Sequence, residues 1–130
     1  MIYTILMTKL TREKLQLSLF QIPEDYRAQL ARIAASPENN SNLTSINSCI
    51  IQALEDYLNL PEAEQPRPNV PKIPLRAFTI RTSSVMKQEI THCAATWQLK
   101  SSLPVSMNAV VNSAILAFLQ KKIPSYQPPF

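Results

Sequence analysis

Ser45-Ile46-Asn47-Ser48-Cys49-Ile50-Ile51-Gln52-Ala53-Leu54-Glu55-Asp56-Tyr57-Leu58 and Ser106-Met107-Asn108-Ala109-Val110-Val111-Asn112-Ser113-Ala114-Ile115-Leu116-Ala117-Phe118-Leu119 read as one segment written twice, at a constant offset of 61 residues. Ser, Asn, Ala and Leu recur identically at the first, third, ninth and last places, and Tyr57 meets Phe118. Aliphatic residues meet at Ile46/Met107, Ile50/Val111 and Leu54/Ile115. In each copy the apolar positions fall at helical spacing (46, 50, 53, 54, 57 and 107, 111, 114, 115, 118), so each stretch is predicted to be an amphipathic helix with one buried stripe.

The repeat extends backwards along the chain. Leu15-Gln16-Leu17-Ser18-Leu19 and Arg76-Ala77-Phe78-Thr79-Ile80-Arg81 alternate with period two and predict a short strand in each copy. Carried through at the offset of 61, Leu17 and Leu19 match Phe78 and Ile80 on the inward face. Gln16 and Ser18 then match Ala77 and Thr79 on the outward face, and Phe20 matches Arg81. Between strand and last helix a further helix is expected. In copy one Ile22-Pro23-Glu24-Asp25 opens it, with proline and acids where a helix N-terminus accepts them, and Tyr26, Leu30, Ile33 and Ala34 share a face. In copy two Ser83 or Ser84 caps it, and Met86, Ile90, Cys93, Ala94 and Trp97 share a face. These helices align at an offset of 60, which suggests an extra residue, such as a bulge at Phe20-Gln21, in copy one.

The chain therefore divides into an N-terminal arm over 1–13, a first strand-helix-helix copy over 14–60, a linker over 61–74, a second copy over 75–122 and an irregular tail over 123–130. Pro61, Pro66, Pro68, Pro71 and Pro74 give the linker an extended bias, with a reach of roughly 40 Å. The fold class expected is mainly α with one short antiparallel β-ribbon, two strands and four helices in all.

Composition removes several classes of function. Of 130 residues, 45% are hydrophobic and 17% charged, which suits a packed chain and not a solvated one. There is no glycine, so no glycine-rich phosphate cradle or dinucleotide fingerprint can form. Cys49 and Cys93 sit in apolar-periodic stretches and read as small core hydrophobes, in keeping with a reduced, cytoplasmic setting. No apolar run is long enough to span a bilayer. His92 is the sole histidine, and no spacing of Cys, His or carboxylates resembles a metal site or a catalytic triad, so neither an enzyme nor a cofactor is expected. The net charge of +4 permits a polyanionic partner. Residues 1–60 hold five basic against six acidic residues, a net of −1, while residues 61–130 hold eight against three, a net of +5.

A single copy leaves a strand edge and an apolar face uncovered, and two copies satisfy both by pairing their strands antiparallel above four helices. This arrangement, with the alternating strand before Ile22-Pro23-Glu24 and the Ser-[Ile/Met]-Asn-[Ser/Ala] opening of the last helix, resembles the ribbon-helix-helix, Arc/MetJ-type family, here as two tandem copies forming a pseudo-dimer in one chain. The resemblance implies double-stranded DNA as partner, read by the outward face of the ribbon in the major groove. The matching base-reading positions are Gln16, Ser18, Ala77, Thr79 and Arg81. Ala77 departs from the pattern, since it can touch only a thymine methyl, and Phe20 departs because an aromatic there packs more readily than it reads. The resemblance also places a phosphate at the start of each last helix, at Ser45, Ile46 and Asn47 and at Ser106, Met107 and Asn108. Lys9, Arg12 and Lys14 before the first strand, and Arg76 before the second, form basic arms of the kind that follow the DNA backbone or enter the minor groove. Each set also admits a plainer reading: a solvated strand face, helix caps, and solvated charges. The expected role is that of a transcriptional repressor or a plasmid-type accessory protein, with self-association on adjacent sites. The alternative is an antitoxin-like or scaffold module of the same fold that binds a protein partner.

Overall fold

The structure is a computed structural model and describes residues 15–36 and 43–129. Over these described residues it is mainly helical, with four helices and one two-stranded antiparallel sheet. In chain order the elements are β1 (Leu15–Pro23), α1 (Glu24–Ala35), α2 (Ile46–Leu58), a 3-10 turn (Glu62–Glu64), β2 (Leu75–Ser83), α3 (Ser84–Ser101) and α4 (Met107–Lys122). The strands pair within the chain, and α2 and α4 pack on each other more extensively than any other two helices.

Local chemistry sets the element ends. Pro23 closes β1 and stands at the N-cap of α1, where Glu24 and Asp25 meet the positive end of the helix dipole. Ser45 caps α2 in a reciprocal box with Ser48: each serine's Oγ accepts the other's backbone N–H at 3.0 Å. Ser83 and Ser106 cap α3 and α4, accepting at 3.0 Å from the Met86 and Ala109 amides. With no glycine to end α3, Ser102 takes the left-handed conformation at φ 59° and donates its N–H to Gln98 O at 2.9 Å.

The ladder runs unbroken from Leu15↔Ser83 through Leu19↔Thr79 to Pro23↔Leu75. It has no bulge at Phe20-Gln21, so the copies match at an offset of 60 through strand and first helix alike, and the extra residue of copy two lies between its helices. That single-residue difference inverts the face expected for β1, because side chains alternate with period two. Ser18, Phe20 and Ile22 point into the core beside Phe78, Ile80 and Thr82, while Leu17, Leu19 and Gln21 point outward with Ala77, Thr79 and Arg81. The helix junction decides the matter. Ile22 is fully enclosed and Pro23 caps α1, so Phe20 lies inside with Ile22.

The core below the sheet combines Phe20, Ile22 and Ile80 with the helix stripes: Tyr26 and Leu30 of α1, Ile50, Leu54 and Tyr57 of α2, Ile90 of α3, and Val111, Ile115, Phe118 and Leu119 of α4. Each large side chain fully buried there contributes about 1.5–3 kcal/mol. Cys49 and Cys93 are free and buried, and burial raises both thiols above their ordinary pKa. The linker is seated on the helices. Tyr57 donates its hydroxyl to Pro66 O, Gln65 Nε2 donates to Tyr57 O at 2.9 Å, and Trp97 Nε1 donates to Gln65 Oε1 at 2.6 Å. Further along, the Asn69 amide donates to Ser113 Oγ at 2.8 Å.

Candidate nucleic-acid interface

The sheet has one covered and one open face. On the open face three cross-strand pairs follow one another: Leu17 beside Arg81, Leu19 beside Thr79, and Gln21 beside Ala77. All six residues are exposed, with Leu17 at 67% and Leu19 at 68%. Of the five positions expected to face outward, Ala77, Thr79 and Arg81 do so. Gln16 is exposed at the end of the strand but belongs to the inward row, and Ser18 is buried at 9%. The hydroxyls of Ser18 and Thr82 lie inside the fold with no hydrogen-bond partner among the described residues. Leu17, Leu19 and Gln21 replace Gln16 and Ser18 as the outward residues of copy one.

The outer edges of the ribbon are held by asparagines at matching places in the two copies. Asn47, near the start of α2, accepts from the Arg81 amide at 2.8 Å through Oδ1 and donates to the Arg81 carbonyl at 3.1 Å through Nδ2. Asn108, near the start of α4, accepts from the Gln21 amide at 2.8 Å. Asn112, one turn further, donates to the Gln21 carbonyl at 2.9 Å and to Asn108 O at 2.9 Å. Each asparagine pairs with the strand of the other copy. These bonds occupy backbone groups that a bare strand edge would leave open. They also fix the start of a long helix at either side of the open face.

The two expected phosphate sites therefore have divided roles. The side chains of Asn47 and Asn108 are committed to the strands. Ser45 and Ser106 are exposed caps. The backbone N–H groups of Ile46, Asn47, Met107 and Asn108 lie in first helical turns, where the helix supplies no carbonyl partner and the dipole favours an anion. Beside the α2 start a concavity of about 580 Å³ is lined by Ser45, Asn47, Gln52, Arg81 and Met86 among others. No acid pairs with the Arg81 guanidinium among the described residues. Arg76 stands 3.9 Å from Glu24 and is partly neutralised by it. Lys9, Arg12 and Lys14 lie outside the described residues.

No family model, curated protein or solved structure matches this chain. The chemistry of the site rests on its own geometry. Among the described residues no cluster of His, Cys, Asp and Glu is arranged to hold a metal, and no helix is long and apolar enough to cross a membrane. A second concavity, of about 440 Å³, lies between α3 and the 3-10 turn, with Trp97, Cys93 and His92 in its wall. Lys100 closes over the Trp97 ring at 4.7 Å and pairs with Glu62.

Two features of the interface escaped the sequence reading. The strand-holding role of Asn47 and Asn108 had a trace, since asparagine is one of the four identities of the repeat. Asn112 had a fainter one, an amide inside Val110-Val111-Asn112-Ser113-Ala114 where the pattern is otherwise apolar and small. It is 1% exposed.

Proposed function

We propose that this chain is a tandem ribbon-helix-helix protein, its two copies forming a pseudo-dimer within one polypeptide, and that it binds duplex DNA by laying the open face of the ribbon in the major groove. The observation that carries this reading is the exchange of asparagine bonds. Matching residues Asn47 and Asn108 each hold the other copy's strand at matching positions Arg81 and Gln21. The ribbon is thereby a rigid plate with a helix N-terminus at each side. A two-stranded ribbon fits the width of the major groove, and helix N-termini on either side suit the flanking phosphates. Arg81, Thr79 and Gln21 supply polar contacts to base edges, and the first-turn amides of Ile46 and Asn47 and of Met107 and Asn108, beside the Ser45 and Ser106 caps, supply phosphate contacts. The role follows as a transcriptional repressor or a plasmid-type accessory protein acting in the cytoplasm.

The test is retention of a random duplex pool at several salt concentrations. Log affinity falls linearly with log salt if phosphates are neutralised, with a slope near −0.9 per contact. Failure to retain duplex even at low salt refutes the proposal.

A second reading, a protein-interaction module of the same fold, is favoured by one observation: Leu15, Leu17 and Leu19 form an exposed apolar row on or beside the open face. A partner chain that binds the isolated protein, with duplex DNA unable to compete, distinguishes it.

A further inference from the structure

The open face differs at its two ends. Its central pair is Leu19 with Thr79. At one end stands Arg81 beside Leu17, and at the other Gln21 beside Ala77. A ribbon built from two identical strands would show the same pair at both ends. Four of these six side chains, Leu17, Leu19, Ala77 and Thr79, present methyl groups. Arg81 alone is charged. Along the strand the set spans four residue steps, about 13 Å, which matches roughly four base-pair steps of 3.4 Å.

We infer that this face reads an asymmetric, thymine-rich segment through its methyl groups, with a single guanine contacted by Arg81 at one end and an adenine contacted by Gln21 at the other. The inference rests on the DNA-binding reading above. Its chemistry is the complementarity between the apolar pairs and the one apolar group in the major groove, the thymine C5-methyl, which Leu, Ala and the Thr methyl can cover. Arg pairs bidentately with guanine O6 and N7, and Gln with adenine N6 and N7. Leu17 and Leu19 stand exposed in the free protein, and thymine methyls cover them in the complex. Because the ends differ, the protein sits on its site in one orientation.

The experiment starts from sequences retained from a random duplex pool, which are resynthesised with deoxyuridine in place of thymidine. This removes only the methyl groups. The expected result is a non-palindromic enriched segment with guanine at one end. Affinity should then fall about fourfold for each contacted methyl removed, from the transfer energy of one such group. Leu19→Ser, an exposed position, should bind thymine and uracil duplexes more nearly alike, and Arg81→Gln should lose the guanine preference at that end alone. Equal affinity for thymine and uracil duplexes, a palindromic segment, or retention without any sequence preference overturns the inference while leaving DNA binding intact. No retention of any duplex overturns both.

Discussion

Truncating two neighbouring residues of β1 separates the two possible faces of that strand. Phe20 is 7% exposed and packs in the core with Ile22 and Ile80, whereas Leu19 is 68% exposed. Phe→Ala in a core costs about 3–5 kcal/mol, the transfer loss plus the cavity left behind. Full burial of a leucine is worth about 1.5–3 kcal/mol, and only about a third of Leu19 is covered, so Leu19→Ala should cost less than about 1 kcal/mol. With a urea slope of about 2 kcal/mol/M, Phe20→Ala lowers the denaturation midpoint by about 2 M and Leu19→Ala by less than about 0.5 M. Equilibrium urea unfolding followed by circular dichroism measures both. The milder Phe20→Leu keeps the comparison readable if Phe20→Ala unfolds outright. A Leu19→Ala loss equal to or greater than that of Phe20→Ala would mean that the strand is seated one residue out of the register described, and the outward residues would again be Gln16 and Ser18.

Other substitutions test the remaining structure. Asn47→Ala removes both bonds to the Arg81 backbone and should cost about 1–2 kcal/mol, measured by the same unfolding; a loss below about 0.5 kcal/mol would show that water replaces the asparagine freely. Thr82→Val should stabilise by about 1 kcal/mol, because it removes a buried hydroxyl that has no partner among the described residues, and a destabilised variant would reveal a bond to that oxygen. Ser102→Gly relieves a left-handed non-glycine residue and should raise the melting temperature by a few degrees, while an unchanged or lower value would place the end of α3 elsewhere. Burial raises the phenols of Tyr26 and Tyr57 above their ordinary pKa of 10.0, and burial with the Asp25 hydrogen bond does the same for Tyr126. The unfolded chain then releases protons that the folded one keeps, so stability is full below about pH 10 and falls as pH rises above it. Tyrosinate absorbance from these three of the four tyrosines should therefore appear together with unfolding, and ionisation of more than one tyrosine in a still-folded protein would contradict the burial.

The helices and the two strands were legible because burial imposes a period on them. Ile50, Leu54 and Tyr57, or Val111, Ile115 and Phe118, cannot share a stripe in any other conformation. The face of β1 was not legible from alternation, since Leu15, Leu17 and Leu19 form a row at least as apolar as Phe20 and Ile22. The missing information lay outside the strand, in the offset of 60 that the first helices share. The seat of the linker left no periodic trace either. Tyr57, Gln65 and Trp97 meet through side-chain hydrogen bonds across the fold, and such bonds need no spacing in sequence. Within the candidate interface, Ala77, Thr79 and Arg81 could be read from copy two, where the inward row is Phe78 and Ile80 and the outward row is polar or small. Asn47 and Asn108 were visible as repeated residues, but their tie to the opposite strand appears only once the strands are paired.

The pairing of β1 with β2 inside one polypeptide has a genetic consequence. In a ribbon made by two identical chains every codon change alters two positions at once, so one useful substitution brings a second, symmetry-related one that must also be tolerated. Here a change at Leu19 leaves Thr79 untouched. Each position on the open face can drift alone, and the plate remains assembled at any dilution, down to a single molecule in a cell.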